Sequence, residues 1–396
     1  MRLSEEDRTL LINRVNIIFH VAASVRFDDP LTFASKMNLQ GTKEIVDLTK
    51  EVANLSVLVH VSTSYSNTNR DPIEEVMYPP HAEWRDTLKV CESIDEHTLR
   101  VLTPKYLGEL PNTYTFTKQL AEHVVYEYKG KLPAVIIRPS IVISSVAEPM
   151  PGWIENFNGP TGILVACGKG IMRSIYSDAD LKPDYMPVDI AIKNIIAAAW
   201  ARGTKPLSPS DDIEIYNCCA GNLNTLSVGE LVQIGMSLAP KYPLNDMLWN
   251  AGGSITTSKN LHYVKCIGGR NRWRRRNCMN ISCINLAIIR LVKVQRRIYI
   301  ANLALRYYVT KQWTFANSNF VLLRSSIKEK DKEQFYYEVE NVDKYQFFVK
   351  CVIGGRRYLL KEKDEDLPKA RAHYKRMLIL DYIVKCVFYG YIAWCL

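Results

Sequence analysis

Two residues in this sequence stand where a proton could be moved. Tyr114 and Lys118, in Tyr114-Thr115-Phe116-Thr117-Lys118, lie four apart. On a helix that spacing places them on one face, about one turn apart. An ammonium there is expected to favour the phenolate and to lower the tyrosine pKa from its reference near 10. Tyr114 could then exchange a proton with a substrate oxygen during hydride transfer. The pair alone is a weak signal, because a solvated helix face carries the same pattern. Its setting strengthens it. Ser62, Thr63 and Ser64 end the apolar run LSVLVHVSTS (55–64), and open α/β sheets bind ligands at the carboxyl ends of their strands. A hydroxyl from Thr63 or Ser62 could hold the carbonyl that Tyr114 protonates, although such hydroxyls also cap turns.

Strands and helices must deliver these groups to one place. Residues 15–23, VNIIFHVAA, open with a short apolar run expected to be a buried strand. Residues 38–53 have apolar positions at helical spacing, and 55–64 form the second strand. Residues 65–110 hold Pro72, Pro79, Pro80 and Pro104 and are expected to form a long irregular surface excursion. A helix follows from about Thr113 to Tyr128. A third strand, 132–140, ends in Arg138-Pro139-Ser140. Helices are expected over 186–201 and 226–239, with a late strand at 214–221. This alternation implies a parallel α/β sheet. From about residue 250 the character changes. Arg270, Arg272, Arg274, Arg275 and Arg276 form a basic cluster, and 281–309 has the pattern of a basic amphipathic helix.

The 396 residues are 47% hydrophobic and 23% charged, which excludes wholesale disorder and fibrous repeats. A net charge of +10 suits an anionic partner without choosing one. The ten cysteines are scattered, with no Cys-x-x-Cys pair and no His/Cys ligand spacing, so free thiols and no metal are expected. The N-terminus has no apolar core of signal length.

HVAASVRFDDPL (20–31), NLQGT (38–42), HVSTSYSN (60–67), YTFTK (114–118) and VIIRPSIV (135–142) occur in this order. Together they resemble an extended short-chain dehydrogenase/reductase, and more closely an alcohol-forming, insect-like fatty acyl-CoA reductase. Residues 291–319 and 335–362 resemble that family's C-terminal domain. The resemblance implies a Rossmann-like, doubly wound parallel sheet over 1–245. An atypical basic linker (246–290), a mainly helical C-terminal domain (291–375) and an apolar tail (376–396) would follow. It implies NADPH-dependent reduction of long-chain fatty acyl-CoA to a fatty alcohol and free CoA, through an aldehyde. Tyr114 would be the proton donor and Lys118 its electrostatic partner and ribose contact. Thr63, with Ser62, would hold the carbonyl oxygen. His20, Val21, Ala22 and Ala23 would pass the cofactor at the end of a central strand. Asn38 matches the helix Asn of that family, and Pro139 and Ser140 would border the nicotinamide.

Two departures stand out. No GxGxxG-like run precedes Tyr114, so the resemblance implies an N-terminally truncated reductase whose first βαβ units are missing and whose sheet exposes an apolar edge. A catalytically impaired fragment that binds only lipid, membrane or partners is the alternative. Residues 264–290 also depart from the family, and no nucleic-acid partner is expected for them. The tail 377–396 is about long enough for a bilayer, but Asp381 and Lys385 interrupt it. A membrane surface is therefore an expected partner, at the endoplasmic reticulum or peroxisome, and a homo-oligomer is compatible with the chain.

Overall fold

A computed structural model describes residues 3–265, 302 and 305–395. Its centre is a parallel sheet of four strands. These are β1 (Ile17–His20), β2 (Val57–Val61), β3 (Ala134–Pro139) and, after three short strands, β7 (Glu214–Cys218), in the order β1-β2-β3-β7. The short strands are β4 (Ile141–Ile143), β5 (Ser174–Tyr176) and β6 (Tyr185–Pro187); β8 (Ser254–Thr256) follows β7. β4 pairs with β6 and β5 with β8, both in parallel.

The alternation along β2 explains the layering. Val57, Val59 and Val61 face one side, where they pack with Val135 and Ile137. Leu58 faces the other, with Ile136. Both faces are covered, as the crossovers of a parallel sheet require. Helices α1 (Glu5–Arg14), α2 (Leu31–Ala34) and α3 (Gly41–Thr49) come first, the last two joined through a π-helical turn, Ser35–Gln40. Next come α4 (Trp84–Ser93), α5 (Glu96–Tyr106), α6 (Thr113–Tyr126), α7 (Pro160–Gly168), α8 (Val188–Gly203) and α9 (Val228–Leu238). Leu39, Val46, Phe116 and Leu120 cover the Leu58 face. Ile190, Ile195 and Ala198 of α8 cover the Val59 face, together with Phe320 and Tyr337 from the C-terminal region. That region therefore shares the core of the sheet.

The expected elements over 15–23, 38–53, 55–64, 113–128, 132–140, 186–201, 214–221 and 226–239 all form, with shifted ends. Ser227 caps α9 and Glu230 returns the bond to its backbone, a closed capping box. Residues 65–110 differ from expectation, since α4 and α5 lie within them. Each is capped by an acidic side chain, Glu83 and Asp95, and buries only a thin stripe, Trp84 and Thr87 or Leu99. So few apolar positions among four prolines leave little periodicity to see.

β1 also corrects an expectation. It is an edge strand among the described residues, paired only with β2, and Ile17 and Phe19 are exposed on it. Residues 246–256, expected to belong to a linker, include β8 and pair with the body. The Arg270–Arg276 cluster and most of the expected helix 281–309 lie outside the described residues. The tail belongs to one long helix, Leu367–Cys395, whose apolar side chains beyond Asp381 are largely exposed.

Candidate active site

α6 begins because Asn112 caps it, its side chain accepting from the Thr115 N–H at 3.0 Å. Phe116, Leu120 and Val124, four apart, bury one stripe against the sheet. Tyr114, Lys118 and Glu122, also four apart, form a second stripe. The register places His20 beside His60 and Val61 beside Ile137. The carboxyl ends of β1, β2 and β3 therefore meet this second stripe.

Lys118 is 2% exposed, and its ammonium donates to the Val61 carbonyl at 2.6 Å. Burial lowers its pKa to about 8, against the attraction of Glu122. Tyr114 departs from expectation, because burial raises it to about 12 while a hydrogen bond with Thr63 opposes the rise. Loss of water around the phenolate outweighs any pull from the ammonium, so Tyr114 holds its proton at neutral pH. Thr63 caps the 3₁₀ turn Ser64–Asn67 and reaches toward the Pro139 carbonyl, which Ser64 also contacts at 3.2 Å. Phe27 lies against the Tyr114 ring, 5.7 Å between centroids.

Asn38 sits in the π-helical turn, a distortion frequent at functional sites. Its side-chain oxygen accepts from the Ser24 N–H at 2.8 Å. Its amide donates to the Ser24 carbonyl at 3.1 Å and to Thr117 Oγ1 at 3.0 Å. Asn38 thus ties the loop after β1 to α6. Val21 and Ala22 are exposed and Ala23 half-buried in that loop, at the carboxyl end of the sheet. His20 is buried and its Nε2 lies 3.0 Å from Thr42 Oγ1. Burial and then Lys118 lower its pKa to about 4, so it is neutral.

Ser62 does not join Tyr114. Its hydroxyl donates to Glu122 at 2.5 Å. Glu122 in turn is held by Arg138 through two bonds, 3.0 and 2.7 Å, with both side chains buried. Ser140 is likewise committed, donating to half-buried Asp184 at 2.5 Å. Asp184 also accepts from the N–H groups of Ala220 and Gly221, so it fastens the end of β3 to the loop after β7. The structure thus brings Tyr114, Lys118, Thr63 and Pro139 together, and turns Ser62 and Ser140 to positioning.

This arrangement can deliver a proton from a neutral phenol to an oxygen held beside it, with a cation to stabilise the phenolate left behind. An NAD-binding family model described as Male sterility protein matches residues 1–195, and a second of the same description, Sterile, matches residues 277–362. Fatty acyl-CoA reductase 1 of Homo sapiens is 34% identical over 96% of this chain and 73% of its own length. Fatty acyl-CoA reductase wat of Drosophila melanogaster is 33% identical over 100% of this chain and 75% of its own. The chain belongs to the fatty acyl-CoA reductase family. It is an oxidoreductase with a nicotinamide-cofactor domain. Among solved structures, the terminal R domain from the myxalamid PKS-NRPS biosynthetic pathway shares the fold, with a TM-score of 0.58, 15% identity, and coverage of 90% of this chain and 72% of that one.

Three residues around this candidate site were not singled out from sequence. Glu122 extends the Tyr114–Lys118 spacing by another four residues, and that continuation was its signal. Asp184 carries no motif. Tyr308 comes from far along the chain: its hydroxyl accepts from Asn112 Nδ2 at 2.7 Å, and its ring meets Phe27 at 5.1 Å.

Proposed function

We propose that this family member reduces long-chain fatty acyl-CoA to the fatty alcohol and free CoA with NADPH, at an intracellular membrane surface of the endoplasmic reticulum or peroxisome. The observation that carries the reading is the convergence of Tyr114, Thr63 and Lys118 at the carboxyl end of β2, beside Pro139. The residues present fit the nicotinamide-ribose end of the cofactor. An ammonium has three donors, and among the described residues Lys118 uses one, on Val61, leaving donors for a ribose diol. The loop 20–23 and Pro139 border the same place. The first glycine of the chain is Gly41, inside a helix, so residues 1–40 hold no glycine turn for the pyrophosphate.

Lys118 and Pro139 would hold the nicotinamide-ribose end of NADPH, which when bound would supply hydride to the thioester carbonyl carbon. Thr63 and Tyr114 hold the carbonyl oxygen, and the C–S bond breaks as CoA leaves, giving the aldehyde. In the second reduction a second NADPH would supply hydride to the aldehyde carbon, and Tyr114 gives its proton to the oxygen that becomes the alcohol. Lys118 stabilises the resulting phenolate. The helix Leu367–Cys395 is long and apolar enough to cross a membrane, which supports action at a lipid surface.

Tyr114→Phe tests the assignment, by following NADPH consumption and free thiol release with hexadecanoyl-CoA. Turnover should fall by roughly 10²–10⁴ while hexadecanoyl-CoA still binds. Unchanged turnover removes Tyr114 from the chemistry. A wild-type chain that makes neither aldehyde nor alcohol overturns the proposal.

A further inference from the structure

An apolar cavity lies between α7, α9 and the helix Lys344–Gly354. It is partly open to solvent, with a cavity volume of about 130 Å³, and Leu164, Ile234, Leu238, Tyr242, Phe348 and Val352 are on its walls. No charged side chain is among the described residues that line it. A carboxylate or phosphate would lose its hydration there without a partner, whereas an alkyl chain would lose none.

Three observations connect this space to the reacting groups. Ile143 and Ser144 on its wall continue the chain directly from Pro139-Ser140 through β4. Ile141, between them, packs in two apolar clusters, one with Ile143 and Phe348 and one with Tyr65 and Tyr308. Phe27 belongs to the second cluster and rests on Tyr114. Apolar side chains therefore occupy the space between Tyr114 and the cavity. The third observation is the wall segment 244–253, which seats the long apolar helix. Trp249 Nε1 donates to Asp381 at 2.6 Å, and His373 Nε2 lies 2.9 Å from the Met247 carbonyl. The cavity thus adjoins the one element of the described chain that suits lipid.

We propose that this cavity holds the acyl chain of the thioester and that Gly235 keeps its bore open. The assignment rests on the reductase reading above and adds to it where the alkyl chain lies and which residue limits its length. A Cβ at Gly235 would meet Leu164 Cδ2 at 3.6 Å, ordinary contact across the space. A side chain there fills the cavity without a backbone clash, and α9 gains helix propensity from the loss of a glycine.

The experiment compares the full chain with Gly235→Leu. One readout is kcat/KM for octanoyl-, dodecanoyl- and hexadecanoyl-CoA. The other is independent of turnover: hexadecanoyl-CoA carrying a photoreactive diazirine at the chain end, with crosslinked peptides mapped by mass spectrometry. Octanoyl-CoA should be retained by Gly235→Leu, and each methylene kept out of the cavity should lower kcat/KM for longer chains by about fourfold, the equivalent of about 0.8 kcal/mol. Crosslinks in the wild type should fall on 143–144, 160–168, 231–253 or 348–355. A chain-length profile unchanged by Gly235→Leu, or crosslinks only outside those segments, overturns the assignment while leaving the reductase reading standing. Crosslinks inside them from a chain that reduces no acyl-CoA support the cavity and overturn the reductase reading.

Discussion

Replacing Lys118 with methionine should change how the stability of this protein depends on pH. The ammonium is buried beside the Val61 carbonyl, and burial outweighs both that bond and Glu122, so its folded pKa is about 8 against 10.5 in an exposed lysine. Between those values the unfolded chain binds a proton that the native chain does not. Stability therefore rises with pH through this window, and the cost of burying the charge is fully present below about pH 8. From pH 7 to about pH 9.5 the wild type should gain about 2 kcal/mol relative to Lys118→Met, from about 1.4 kcal/mol per pH unit acting over roughly 1.5 units. The assay is urea unfolding of both proteins across this range without cofactor, read as the difference between them, so that all other titrations cancel. A difference constant within about 0.5 kcal/mol would refute the reasoning and show that the ammonium keeps its hydration. The same deprotonation should lower kcat/KM for acyl-CoA reduction above about pH 8 at the level of the free enzyme.

Glu122→Leu should cost about 3–5 kcal/mol, because Arg138 is left charged and unpaired in the core, and Glu122→Leu with Arg138→Met should recover most of it; chemical denaturation of the three proteins measures both. Asn38→Ala removes two bonds to the loop after β1 and one to Thr117 of α6, so stability should fall by about 1–3 kcal/mol and KM for NADPH should rise more than kcat falls; an unchanged KM would detach that loop from the cofactor. Removing residues 382–396, a mostly apolar segment whose residues 382–395 are largely exposed, should abolish sedimentation of the chain with phosphatidylcholine vesicles while leaving its unfolding midpoint in place.

The elements of the sheet were legible because each announces itself locally. β2 and β3 are short apolar runs, and α6 carries a cap, an apolar stripe and the Tyr114–Lys118 spacing within one segment. α4 and α5 were not legible, since each buries so little that its periodicity sinks into the prolines and charges around it. The candidate site was half legible. Residue type and spacing pointed to Tyr114, Lys118 and Thr63. They could not show that Ser62 turns away to Glu122, because adjacent residues at a strand end face opposite sides and only packing decides which side holds the site.

The sequence by itself determined the parallel α/β class and where the main strands lie along the chain, and it pointed to a candidate for the proton chemistry. These depend on short-range periodicity and on functional groups that occupy one helix face or one strand end. The tertiary structure alone decided the protonation of the site and its surroundings. The direction of the Tyr114 shift reverses because burial, a property of everything packed around a group, outweighs the nearest charge. Tyr308, Asp184 and Phe348 reach the same region from distant parts of the chain, and no local pattern encodes where a chain returns. The cavity likewise exists only as the space left between α7, α9 and the helix Lys344–Gly354.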